Sequence, residues 1–272
     1  MGSIDIVHWN PSRPVFRGRL GKHIPVKRPV NNFGDLLGPI IVNRILELNG
    51  VSSAVSHDES RRLVAVGSIL RMARDNDVVW GTGVNGKSLD GVYDFSTLDV
   101  RAVRGPLTAE FLAGRGIASP AVYGDPGLLV GTLWGSDFWK DGLPAREITI
   151  IPNLNDAAAL ARDPRYISPR SEVMSVIKSI ARSSFVTGSS LHAIVVAESF
   201  GIPARLIKAQ KEPDFKYRDY YLGTGRAGFQ AAGSVEEAIE MGGEQPPIWS
   251  SEPLLKAFPF DLWGHGGPAP IA

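Results

Sequence analysis

Between positions 185 and 200 the chain runs from a short apolar stretch through a glycine into a helix that is apolar on most sides. Phe185-Val186 ends at Gly188, and Ser189 or Ser190 stands where a helix N-cap belongs. The helix expected over 191–200 carries Ile194, Val195, Val196 and Ala197, so it must be buried. A strand, a glycine turn and a buried helix make an α/β connection, and this one has a histidine, His192, in its first helical turn. That turn leaves backbone N–H groups unpaired and carries partial positive charge, which suits a phosphate or a carboxylate. A histidine there can hand a proton to the anion so held. No second histidine or carboxylate lies at ligand spacing on the same helix, so no metal is expected.

The same alternation recurs along the chain. Ile4 to Val7 reads as a first strand, and 35–48 has Leu36, Ile40, Ile41, Ile45 and Leu48 at helical spacing, stopped by Gly50. Strand-like runs at 63–66 and 78–80 end at Gly67-Ser68 and Gly81-Thr82-Gly83. A run at 100–103 precedes a helix over 106–113 with Pro106 at its first position. Ala121-Val122-Tyr123 leads into Gly124-Asp125-Pro126-Gly127. The stretch 131–147 has no periodicity and reads as a linker containing Trp134 and Trp139. Beyond it come a strand at 148–151, a helix over 172–181, the unit at 185–200 and a strand at 205–207. Short buried strands followed by glycine turns predict an α/β fold, with mostly parallel strands and ligand loops at their carboxyl ends. The 272 residues divide into two such halves, 1–133 and 134–272. The segment 249–263 carries enough apolar residues to dock across both.

Composition narrows the function classes. A net charge of +1 gives no global pull toward nucleic acid, and the absence of cysteine rules out disulfides and a cysteine nucleophile. No secretory leader is read at the N-terminus, and no apolar run reaches the roughly 20 residues that span a bilayer. A cytoplasmic setting is expected, with a peripheral seat at the inner membrane left open. Positions 13–28 hold Arg13, Arg17, Arg19, Lys22, Lys27 and Arg28 without an acid. Two readings stand for this run: a solvated, proline-held loop, or an anion-handling loop near a phosphorylated ligand or an acidic membrane.

Several residues have the chemistry of a site. Asn31-Asn32-Phe33-Gly34-Asp35 leads into the first long helix, where Asp35 serves either as an N-cap or as a base near a ligand. Gly81, Thr82 and Gly83 either cradle phosphate through backbone N–H groups or serve close packing. Neither glycine turn continues into a nucleotide-binding fingerprint. Arg104, at a strand's carboxyl end, either clamps an anion with paired hydrogen bonds or bridges to Asp99 or Glu110. Asp125 ends a strand in the same manner, and turn formation is its plainer role.

Five segments fall in a telling order: Asn32-Phe33-Gly34-Asp35, Trp80-Gly81-Thr82-Gly83, Val103-Arg104-Gly105-Pro106-Leu107-Thr108, Tyr123-Gly124-Asp125-Pro126-Gly127 and Ser190-Leu191-His192-Ala193. The ordered set resembles the polysaccharide pyruvyl transferase family, and within it the bacterial exopolysaccharide ketal-pyruvate transferases. The resemblance runs from about 31 to 203, with Lys216-Tyr217-Arg218-Asp219-Tyr220-Tyr221-Leu222-Gly223-Thr224-Gly225 belonging to it. It implies two Rossmann-like domains facing across a cleft, as in glycosyltransferase-B enzymes. It also implies phosphoenolpyruvate as donor and a sugar diol as acceptor, often on a lipid-diphosphate-linked oligosaccharide, with no metal or redox cofactor. The family's histidine falls on His192, expected as the acid or the phosphate-side proton donor. Arg104 is then the anion clamp, and Asp35 or Asp125 orients or deprotonates the acceptor. Asn32, Gly81, Thr82, Gly83, Ser189, Ser190 and Leu191 are expected around the substrates. Many members have an arginine before the Leu-His pair, where this chain has Ser190.

Two other functions fit the same architecture. A nucleotide-sugar glycosyltransferase would need a base and ribose pocket, and the second half shows no acidic ribose clamp. A non-catalytic sugar- or phosphate-binding protein of polysaccharide assembly would bind the donor without turnover.

Overall fold

The computed structural model describes residues 3–15, 26–53, 61–139 and 145–265. Arg17, Arg19 and Lys22 of the basic run lie outside these residues, as do Gly142, Pro144 and the tail beyond 265.

Strand β1 (Asp5–Val7) is followed by an antiparallel ribbon of β2 (Ser12–Pro14) and β3 (Lys27–Pro29), which pairs Arg13 with Arg28. A 3-10 turn, Phe33–Leu36, runs into α1 (Leu37–Leu48). Strands β4 (Arg62–Val64), β5 (Val78–Trp80) and β6 (Asp99–Ala102) complete a parallel sheet of order β1-β4-β5-β6. Helix α2 (Pro106–Ala113) begins with proline at its first turn, where the missing N–H costs nothing. Ala121 to Tyr123 forms only a single bridge, Val103 with Tyr123, rather than the strand expected there. The expected linker contains a helix, α3 (Val130–Phe138), kinked at Gly135 with φ +70°. The kink breaks the 3.6-residue rhythm that would have betrayed a helix. Trp139, expected to lie in the linker, is fully buried.

The second half restarts with β7 (Arg146–Ile150), then α4 (Ala157–Leu160) and α5 (Val173–Ala181). The Glu172 carboxylate accepts from the amides of Met174 and Ser175 (2.9 and 2.6 Å), and Val173, Val176, Ile177 and Ile180 form α5's buried stripe. Strand β8 (Ser183–Gly188) leads into α6 (Leu191–Ser199), and β9 (Ala204–Leu206) closes a parallel sheet of order β7-β8-β9. Helices α7 (Phe215–Gly223), α8 (Val235–Met241) and α9 (Ser251–Lys256) follow. Among the described residues, no helix is long and apolar enough to cross a membrane.

Parallel strands are covered on both faces, and the first sheet shows why its runs read as continuously apolar. Leu63, Val78 and Trp80 point into one core, while Val64 and Val79 point into a second on the opposite face. The first of these cores runs without a break from Ile4 to Trp263 and takes in both sheets. Helix α6 sits at its centre, packed on Pro126–Leu129, α3, α5, β8 and β9. Burying Ile194, Val195 and Val196 there contributes roughly 1.5–3 kcal/mol each.

The segment after α8 ties the molecule together. Ile248 N donates to Thr224 O in the second half (3.0 Å), and Trp249 Nε1 donates to Tyr123 O in the first (2.8 Å). Trp80 Nε1 reaches Leu254 O at 2.9 Å, and the Trp80 and Phe258 rings meet edge-on at 5.0 Å. Of the segment 249–263, these contacts reach the first half, at Tyr123 and Trp80, while Ile248 just before it holds to Thr224.

Candidate active site

The loops after β4, β7 and β8, the turn at Asp125 and the turn before α1 meet at the N-terminal end of α6. Ser190 is the N-cap of α6, yet its hydroxyl makes no capping bond, so the first-turn amides receive no side chain. Leu191 is core, 5% exposed, and does not face a ligand. The next residue, His192, is 12% exposed.

Three elements shape the space around the His192 ring. A Cβ on Gly34 would fall 2.2 Å from His192 Nδ1, so only glycine lets the Asn32–Asp35 turn come this close. Gly67, with φ +100°, borders both Asp35 Oδ1 and His192 Cε1. On the other side, Asp125 Oδ2 lies 3.8 Å from His192 Nε2, and neither atom has a hydrogen-bond partner. The other oxygen, Asp125 Oδ1, accepts from Gly127 N (2.9 Å), which fixes a fully buried carboxylate toward the ring. An unsatisfied acid facing an unsatisfied imidazole is costly for stability and useful for moving protons.

Asp35 does not cap a helix, as its position had suggested. Its Oδ2 accepts from Asn32 Nδ2 at 2.6 Å, and Asn32 is itself the N-cap of the 3-10 turn. Burial pushes the Asp35 carboxyl above its ordinary value, partly offset by His192 and the Asn32 bond. A carboxyl tuned upward beside a histidine has the character of a general acid or base.

The remaining expected contacts take other positions. Gly81 N donates to Ala102 O (2.9 Å) and Gly83 N to Gly67 O (3.0 Å), so neither amide is free to cradle a phosphate. Thr82 Oγ1 donates to Gly67 O at 2.7 Å and is fully buried. The three residues form a seam between the ends of β4 and β5. Ser189 is also a fastener: its Oγ donates to Asp156 Oδ2 (2.7 Å) and accepts from Asn153 N and Nδ2, each at 3.1 Å.

Arg104 corrects the anion-clamp expectation most clearly. It is wholly buried, and its partner is Asp219 rather than Asp99 or Glu110. Nε and Nη2 meet Asp219 Oδ2 at 3.0 and 2.9 Å, and Nη2 also donates to Val84 O at 2.9 Å. The Asp219 carboxylate is completed by Thr108 N and Oγ1 (3.0 and 2.7 Å). Nη1 donates to Ser68 Oγ at 2.6 Å, and that half-buried hydroxyl stands between the guanidinium and the loop after β4.

Sequence reasoning missed a further charged group. Lys216, in the first turn of α7, is bonded to Glu212 (3.0 Å), which also takes Asn155 Nδ2 (2.9 Å) and Lys87. Lys216 had been noted only as the first residue of a matched segment, and its partners are remote loops that no local pattern reveals. A cavity of about 390 Å³ lies elsewhere, lined by Glu198, Pro203 and Trp249 near the carboxyl end of α6, away from His192.

An α/β chain with a histidine and two carboxylates brought together at one helix start fits a family of group-transfer enzymes. The chain belongs to the polysaccharide pyruvyl transferase family, whose model matches residues 32–209. It is 30% identical over 171 residues to the succinoglycan biosynthesis protein ExoV of Rhizobium meliloti strain 1021. That match covers 58% of this chain and 52% of the relative, so the chain spans about half the length of the curated relative it matches. A solved Klebsiella pneumoniae protein, KP1_0663, aligns with 70% of this chain and 83% of its own at 10% identity and a TM-score of 0.45.

Proposed function

We propose that the protein transfers pyruvate from phosphoenolpyruvate to two hydroxyls of a sugar in an exopolysaccharide precursor, forming a cyclic ketal and releasing phosphate. The observation that carries this reading is the pairing of His192 with Asp125 and Asp35 at the uncapped start of α6, in a chain of this family. Two parallel sheets whose carboxyl-end loops meet there support the arrangement of two Rossmann-like domains, as in glycosyltransferase-B enzymes.

The chemistry follows from the donor. A proton delivered to the methylene carbon makes C2 of the enol phosphate cationic, and one sugar hydroxyl adds there and gives up its proton. The bond from C2 to the phosphate oxygen then breaks, and phosphate leaves with the electron pair. The second hydroxyl closes the ring at C2, and its proton departs with phosphate. Of the two hydroxyl protons, one leaves on the phosphate and the other returns from Asp35 to His192 to replace the proton given to the methylene carbon, so the exchange balances. His192 is the proton donor, with Asp125 behind it to stabilise the imidazolium, and Asp35 takes the proton from an acceptor hydroxyl. The α6 amides receive the donor's negative charge. No metal or redox cofactor is part of this scheme. The acceptor carried on a lipid diphosphate, and a cytoplasmic site at the inner membrane, belong to the same reading.

Calorimetric titration with phosphoenolpyruvate, beside UDP, GDP and their sugars, tests it. Saturable binding of phosphoenolpyruvate alone, and a fall of about 10²–10⁴-fold in phosphate release for His192→Ala, are the expected results. Binding of a nucleotide instead would overturn the reading in favour of glycosyl transfer.

A further inference from the structure

The donor is a polyanion, and the site described so far meets it with two carboxylates, a histidine and a row of backbone amides. The obvious counter-charge, Arg104, is spent on Asp219 behind the Ser68 hydroxyl. Among the described residues, Lys216 is a more buried cation near this place than Lys87, which shares its carboxylate partner. Tyr217 Oη donates to the Ser189 carbonyl at 2.9 Å, which pins the first turn of α7 beside the start of α6. Three residues on from Lys216, and so on the same helix face, Asp219 holds Arg104. The α7 turn that carries Lys216 therefore lies between the Ser189 loop and the Arg104 pair. Its charge is felt by Asp35 and opposed by Arg104.

The ammonium is held but not consumed. Glu212 Oε2 takes one N–H at 3.0 Å, and the face of Tyr217 lies 5.0 Å away. A lysine has three N–H donors, and the other two find no acceptor among the described residues. The side chain is 14% exposed, so these donors are also largely withdrawn from water, and burial pushes the ammonium below its ordinary value. Burial alone would raise Glu212, but Lys216 and Lys87 outweigh it and hold the carboxylate ionised. Lys87 comes from the loop after β5 and Asn155 from the loop after β7. Both sheets thus contribute to fixing one carboxylate, which fixes one ammonium.

We infer that Lys216 is the side-chain seat for the phosphate or carboxylate of the bound donor, presented to the start of α6 by the Glu212, Lys87 and Asn155 cluster. The inference rests on the pyruvyl-transfer reading for the identity of the anion, though not for its charge. A desolvated ammonium with free N–H groups gains most from a dianion that completes its coordination.

The test uses the intact chain and two probes, inorganic phosphate and phosphoenolpyruvate, titrated at fixed ionic strength into wild type, Lys216→Met and Lys256→Met. Lys256 is exposed and paired with Glu252, so its loss controls for net charge alone. The expected result is that Lys216→Met weakens both probes about ten- to a hundredfold while Lys256→Met leaves them unchanged. Equal affinity in wild type and Lys216→Met overturns the inference, as does failure of wild type to bind either anion. Phosphate binding that depends on Lys216, with phosphoenolpyruvate held no tighter, keeps the seat and removes the pyruvyl reading. Should Lys216→Met fold poorly, reductive methylation of the wild-type lysines, read by peptide mass, replaces it. Lys216 is then expected to be protected by phosphate, and an unprotected Lys216 sinks the proposal.

Discussion

Two buried polar clusters lie side by side in this molecule and differ in completeness. Around Arg104 and Asp219, four guanidinium contacts and both carboxylate oxygens are matched, and both side chains are fully shielded from solvent. Around His192, the imidazole Nε2 and Asp125 Oδ2 face each other at 3.8 Å without a bond, and on α7 Lys216 keeps two donors unmatched among the described residues. Satisfied networks rigidify a fold, whereas buried groups without partners persist where a ligand or a reaction completes them. The first cluster is complete as scaffold, and the second is the one the proposed reaction draws on.

Removing half of the satisfied pair has the largest expected effect. Arg104→Met strands a buried carboxylate, which costs about 3–5 kcal/mol and lowers the urea midpoint accordingly. Adding Asp219→Asn restores part of that loss. An Arg104→Met protein with a wild-type midpoint would erase the distinction between the clusters.

A pair of glycines sharpens the contrast at smaller cost. A Cβ at Gly83 would fall 2.4 Å from Arg104 Cζ, and one at Gly34 falls 2.2 Å from His192 Nδ1. Gly83→Ala strains the shielded pair and shows in unfolding by about 1–3 kcal/mol. Gly34→Ala displaces the His192 ring, so its main effect is expected on phosphate release, a loss of about 10²-fold. The comparison breaks if both substitutions act alike in the two measurements.

The smallest effect runs in the opposite direction. Burial raises the Asp35 carboxyl, so the folded protein binds this proton more tightly than the unfolded chain. Stability therefore falls as pH rises from the unfolded carboxylate value through the raised folded one. Asp35→Asn removes that penalty. It is expected to be more stable than wild type above the folded value and equal in its pH trend below the unfolded one, with turnover lost. Unfolding curves across pH read this directly, and a variant less stable at neutral pH would show that Asp35 is scaffold after all.

Much of the scaffold was legible because its signals are local. Pro106 marks the start of α2, and the glycine turns mark the strand ends at Gly67, Gly81 and Gly188. The helix start bearing His192 was legible for the same reason, but the missing cap at Ser190 was not. The partner of Arg104 was not, because Asp219 is 115 positions away and neither residue's neighbours encode the meeting. The Lys216 cluster draws on Lys87, Asn155 and Glu212, from three separate loops. Helix α3 was hidden by Gly135, whose kink breaks its rhythm, and the packing of Trp134 on Trp139 at 5.6 Å has no sequence signal.

The bond from Trp80 to Leu254 spans 174 positions. At about 5–20 residues per second, the ribosome takes roughly 9–35 s to deliver the acceptor after the donor has been made. During that interval the face of the first sheet at Trp80 stands bare of Leu254 and Phe258, however complete its strands. The nascent chain thus carries this aromatic face without its cover until Leu254 and Phe258 have been made.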